Sequence, residues 1–245
     1  MYRRFPLPCA LLLAALACHS AGAAQPEVPP FSGLTTLAGS GWETLEFPNI
    51  HQTTDYRLVT DGGTQVVQAQ SRGGASGLIF RLQQPVSEDL TLRWRWKIAG
   101  IHADGDARHK DGDDYAARIY VAFAFEPERS GWLARMRHRA AELLFGEALP
   151  GRALNYIWAN RLPKGSITAN AYTDQTMMIA VESGHQGTGQ WREYERNLAQ
   201  DYRRAFGEAP PPVVGIAIMT DADNTGGQAT AWYGDISLSS ESAAQ

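Results

Sequence analysis

The sequence predicts an all-β fold, a jelly-roll-like antiparallel β-sandwich with two short accessory helices. Three observations predict it. Apolar and polar residues alternate at period two through about nine stretches of the chain. Clusters of Gly, Asp, Asn and Pro separate those stretches, as turns separate the strands of a sandwich. Two stretches have helical period, but they do not alternate with the strands, which argues against βαβ units and a doubly wound parallel sheet.

Residues 1–24 precede the fold. Arg3 and Arg4 open this segment, residues 9–17 are apolar, and small residues stand at Ala21 and Ala23 or at Gly22 and Ala24. That pattern is a cleavable secretory signal and is too short for a transmembrane span. It implies export, with the periplasm as the expected destination. The competing reading makes Cys18 a lipidated N-terminus after Ala15, Leu16 and Ala17. Cleavage after Ala24 removes Cys9 and Cys18, the two cysteines of the chain. The mature fold then rests on a hydrophobic core rather than on disulfides. Residues 25–30 read as a Pro-rich tether, and residues 31–240 as a single sandwich domain. No later run is apolar enough to suggest a transmembrane segment. The chain has 22 Lys+Arg against 26 Asp+Glu, a net charge of −4, which argues against nucleic-acid binding.

In chain order, short strands are expected at 56–60, 65–70 and 77–82. The clearest strand is 90–98, where Leu90, Leu92, Trp94, Trp96 and Ile98 alternate with Thr91, Arg93, Arg95 and Lys97. The next, 115–125, puts Ile119, Val121 and Phe123 on one face and Arg118 and Tyr120 on the other. Residues 131–145 switch to helical spacing through Trp132, Met136, Leu143 and Leu144, with Gly146 as a stop. Arginines surround that helix, so it either packs on the sheet or offers a basic face to an anionic surface. Strands are expected again at 155–159 and 177–182. A second helix at 195–206 is closed by Gly207 and the prolines at 210–212. The last strands are 213–220 and 230–238; in the latter, Trp232, Ile236 and Leu238 are expected inward and Tyr233 and Asp235 outward.

The chemistry-bearing residues gather in loops. Asp104, Asp106, Asp111, Asp113 and Asp114 lie between two strong strands and read either as Ca²⁺ ligands or as turn formers. The 221–226 loop partly matches a calcium loop, but Thr225 stands where Asp or Asn belongs and the distal Glu is missing. The closing strand resembles that of carbohydrate-binding jelly rolls, in which an Asp before an apolar residue holds a structural Ca²⁺. On that resemblance Asp235 is the expected ligand of at most one Ca²⁺, with Glu43 or Glu46 as its partner. His102 and His109 have no zinc spacing and read as surface residues. No G-x-S-x-G, H-E-x-x-H or P-loop is present. Strand ends from three segments are expected to converge on one polar rim: Asp113, Asp114, Arg118 and Tyr120; Asn155 and Trp158; and Asp221, Asp223 and Asn224. Aromatic rings beside Arg and Asn suit sugars, whose C–H faces stack while their hydroxyls hydrogen-bond. The expected function is non-catalytic binding of a polysaccharide or another polar envelope ligand. The alternative is a glycan lyase or hydrolase on the same scaffold.

Residues 113–120 (DDYAARIY), 153–158 (ALNYIW), 201–207 (DYRRAFG) and 215–226 (GIAIMTDADNTG), with Tyr233-Gly234-Asp235, resemble the bacterial domain-of-unknown-function family 3047. The resemblance runs from about Phe31 to Leu238. It implies an exported jelly-roll protein and brings no established activity or catalytic residue.

Overall fold

The computed structural model describes residues 27–48, 50–129, 131, 132, 136 and 151–240. Two sheets face each other. The larger contains, in spatial order, β1 (Trp42–Leu45), β4 (Gly77–Gln84), β11 (Val213–Met219), β6 (Arg118–Phe123), β7 (Arg152–Ala159), β9 (Thr176–Ser183) and β8 (Ile167–Ala169). The smaller contains β10 (Arg192–Asn197), β5 (Thr91–Ile98), β12 (Gln228–Ser239), β3 (Thr64–Arg72) and β2 (Asp55–Asp61). The described residues are thus nearly all β, with one α-helix, α1 (Leu198–Phe206).

One pair departs from the antiparallel expectation. β9 returns from β8 as a hairpin and inserts between β8 and β7, so it runs parallel to β7. Every other pair of neighbouring strands is antiparallel.

Period-two alternation builds the core between the sheets. Leu92, Trp94, Trp96 and Ile98 of β5 meet Ile119, Val121 and Phe123 of β6 and Leu154, Tyr156 and Trp158 of β7. The Trp94 and Tyr156 rings touch across the sandwich with centroids 5.1 Å apart. Burying rings of this size supplies much of the apolar transfer energy that opposes chain entropy.

In β12 the expected parity holds only for the second half. Ala229, Ala231 and Tyr233 point inward, with Tyr233 fully buried, and Ile236 also points inward. The pairing with β5 shifts register between Tyr233 and Ile236, so a bulge at Gly234 and Asp235 inserts one residue and reverses the alternation. Trp232 is therefore on the outer face, under the Lys97 ammonium.

The second expected helix is shorter than its apolar period suggested. Glu195 and Asn197 still pair with β5, through Arg93 and Thr91. Asn197 then caps α1, its side-chain oxygen accepting from Gln200 N at 2.8 Å, and Gly207 closes the helix at φ 75°. The first expected helix, at 131–145, lies almost wholly outside the described residues, as does the 1–24 leader. The end of the expected tether is held: Val28 is buried in the core, and Trp42 Nε1 donates to Pro29 O at 3.3 Å. Among the described residues no helix is long and apolar enough to cross a membrane.

Candidate functional site

Strand parity turns Arg118 and Tyr120 of β6 to the outer face of the larger sheet, and two loops fold over them. The first is the connection from β5 to β6, whose short 3₁₀ turn Lys110–Gly112 delivers Asp113. Asp106 N donates to Gly112 O at 2.8 Å, and a Cβ on Gly112 would stand 2.5 Å from Asp106 N. Glycine is what lets this loop close on itself. The second is the loop after β11, where Asp221 Oδ1 accepts from Tyr115 N and from Arg118 Nε, each at 3.0 Å.

Arg118 is the centre, with a side chain only 2% exposed. Its Nη2 donates to Asp221 Oδ2 and to the Asp113 carbonyl. Its Nη1 donates to Tyr120 Oη at 3.1 Å and stands 3.5 Å from Asp113 Oδ2. The guanidinium also lies 4.4 Å above the Tyr115 ring. Asp114 ties the two loops together by accepting from Asn224 N at 3.2 Å and Thr225 N at 2.6 Å.

These groups share too little positive charge. Burial pushes the Asp221 carboxyl up to about 8; Arg118 opposes the rise, while Asp114 and Asp113 add to it. Burial also raises Asp223, and Asp114 again contributes. On Arg118, burial disfavours the charge, but Asp221, Tyr120 and Asp113 together hold the guanidinium ionised. One buried cation thus serves several acids.

Above this cluster lies a polar rim. Tyr172, 53% exposed, is held at three points: Asn170 Oδ1 accepts from its N at 2.9 Å, its Oη donates to Lys110 O at 3.2 Å, and Asn224 Nδ2 donates to its Oη at 2.8 Å. The Lys110 ammonium is 5.1 Å from the ring centroid. Asn170 Nδ2 also reaches down to Asp113 Oδ2 at 2.9 Å. Below it, the buried Asn155 places Nδ2 3.2 Å from Met178 Sδ. Asn155 Oδ1 and Asp113 Oδ1 have no hydrogen-bond partner among the described residues.

The structure therefore gathers eight of the nine residues named from the sequence, but in two layers. Asp113, Asp114, Arg118, Asn155 and Asp221 are buried, Tyr120 and Asp223 are partly buried, and Asn224 belongs to the rim. Trp158 stands apart. It lies on the opposite face of β7, inside the core, with Nε1 donating to Gly184 O at 3.0 Å. Asp235 is also elsewhere, and both of its oxygens accept from Ser32, from N at 2.8 Å and from Oγ at 2.6 Å. His102 is not a surface residue; it is 6% exposed and its main-chain N donates to Asn160 Oδ1 at 3.0 Å. Asp106, read with the acidic loop, accepts from the Arg108 main chain and guanidinium as a turn former does. Tyr172, Asn170 and Lys110 carried no sequence signal, because the 52 to 62 residues that separate Tyr172 from Asn224 and Lys110, and Asn170 from Asp113, are bridged only by folding.

A family model described as a protein of unknown function, DUF3047, matches residues 40–237. No curated protein matches the chain. Among solved structures, the chain is similar to the family 11 carbohydrate-binding module of the cellulosomal cellulase Lic26A-Cel5E of Clostridium thermocellum. That match has 11% identity and a TM-score of 0.44, covering 90% of this chain and 96% of the module. It is also similar to the Trichoderma harzianum endoglucanase 3 from family GH12, at 10% identity and a TM-score of 0.43, covering 90% of this chain and 100% of that one.

Proposed function

We propose that this chain, which belongs to the DUF3047 family, is a glycan-binding protein whose binding surface is the rim around Tyr172. The observation that carries the reading is an exposed aromatic ring fixed in place by hydrogen bonds at both its main chain and its hydroxyl. A ring left open to water but immobilised is a stacking platform that loses little entropy on binding. Asn224 and Lys110 beside it offer hydrogen bonds to sugar hydroxyls, while the ring takes a C–H face. The buried Arg118 cluster supports this surface from beneath.

The reading extends to location. The 1–24 leader supports export to the periplasm, where envelope polysaccharides are the glycans within reach. Intact mass of the mature protein tests that point: an N-terminus near Ala24 or Gln25 is expected, and a diacylated Cys18 would contradict it.

A glycan array probed with the mature protein tests the binding itself. Retention of a defined subset of polysaccharides is expected. A blank array, or release of reducing ends from any glycan, would contradict the reading, the second in favour of a lyase or hydrolase.

A further inference from the structure

We infer that the connection between β6 and β7 docks this protein on a membrane surface rich in anionic lipid headgroups. β6 ends at Phe123 and β7 begins at Arg152, and these two residues pair across the sheet. A turn of about two to five residues is enough to join antiparallel neighbours. Here residues 124–151 make the connection, several times what closure of the sandwich requires. Detours of this kind, carried on a rigid scaffold, are where binding elements are built.

Two described residues of the detour hold large apolar side chains out in water. Trp132 is 71% exposed and Met136 60%, and both are helical. Residues four apart lie on one face of a helix, so the indole and the thioether stand together. The helical period alone allowed both to pack on the sheet, and their exposure removes that reading. Among the described residues the other large apolar side chain so exposed is Tyr172, which belongs to the rim.

The charge of the same stretch identifies the occupant. Residues 129–141 hold Arg129, Arg135, Arg137 and Arg139, with His138, and no Asp or Glu; Glu126, Glu128 and Glu142 stand outside the run. In a chain of net charge −4 this is a local basic segment, and it selects an anionic partner. Arginines with Trp and Met on one short helix are the composition of elements that lie in the headgroup layer, where guanidinium groups meet phosphates and apolar side chains enter the acyl boundary. A soluble acidic polymer would satisfy the arginines and leave Trp132 and Met136 in water. A bilayer takes both.

The test is co-sedimentation with lipid vesicles, using the chain from Gln25 so that the apolar leader contributes no binding of its own. Vesicles of phosphatidylcholine alone are compared with vesicles containing about one third phosphatidylglycerol. Binding to the anionic vesicles at low salt is expected, at least tenfold stronger than to the neutral ones, with most of it lost by about 0.5 M salt. The double variant Trp132→Ser, Met136→Ser should bind the anionic vesicles at least tenfold more weakly, and its Tm in solution should match wild type because both side chains are exposed. No binding to either vesicle, equal binding to both, or undiminished binding by the double variant overturns the proposal. The matched Tm separates lost docking from lost folding, and no glycan is present, so neither result bears on the Tyr172 rim.

Discussion

Arg118 decides how the polar cluster behaves, because all three nitrogens of its guanidinium hydrogen-bond inside the protein. A ligand-contacting arginine would leave part of that fork free. We therefore expect Arg118→Ala to lower stability by about 3–5 kcal/mol, the range for stripping one partner from a buried ion pair. Urea denaturation measures it, and a loss under 1 kcal/mol would show that the acids stand without the guanidinium. Asp61 offers the contrasting case on the smaller sheet. The Lys97 ammonium lowers its carboxyl below the usual range, burial works against this, and the Trp191 N–H assists. A depressed pKa gives stability that is present above the ordinary carboxylate range and lost as pH falls through the depressed value. Wild type should thus lose roughly 1 kcal/mol between pH 5 and pH 2 that Asp61→Asn does not lose. Parallel acid limbs in the two proteins would contradict this. The identities of the cluster residues were readable in the sequence, since loops of Asp and Asn at strand ends stand out. Their depth was not. Asp113 and Asp114 read as members of a polar rim, because nothing local shows that residues 221–226 fold over them.

At the scale of elements, period two was legible wherever a strand is regular. β5 keeps its alternation from Thr91 to Ile98, and its buried face is the one the pattern marked. β12 shows where such reading stops. The bulge at Gly234 and Asp235 reverses the inward face, and neither residue announces which way the pleat will slip. The same limit misplaced Trp158. Its partner face on β7 also holds buried residues, Asn155 and Ile157, so that strand has no polar side to read. Trp158→Ala should accordingly cost about 3–5 kcal/mol in a stability measurement. The start of α1 was blurred for another reason, since Glu195 fits both a strand pair and a helical turn. The Asn197 cap settles it, and Asn197→Ala should cost about 1 kcal/mol. An unchanged midpoint in denaturant would mean that the cap contributes nothing.

Across the whole molecule, the two sheets divide the work. Their inner faces hold the aromatic core, and the outer face of the larger sheet carries the ion-paired cluster and, above it, the Tyr172 rim. The sandwich was legible because its evidence is spread over many strands. The rim was not, because it joins residues from three loops that share no pattern. This division separates stability from recognition: the cluster residues should fail by unfolding and the rim residues by losing ligand. The most direct test titrates the best glycan from the array into wild type and into Tyr172→Ala, with Tm recorded for both. The account predicts at least a tenfold loss of affinity, about 1.4 kcal/mol, with Tm nearly unchanged. Equal affinity in the two proteins would contradict it.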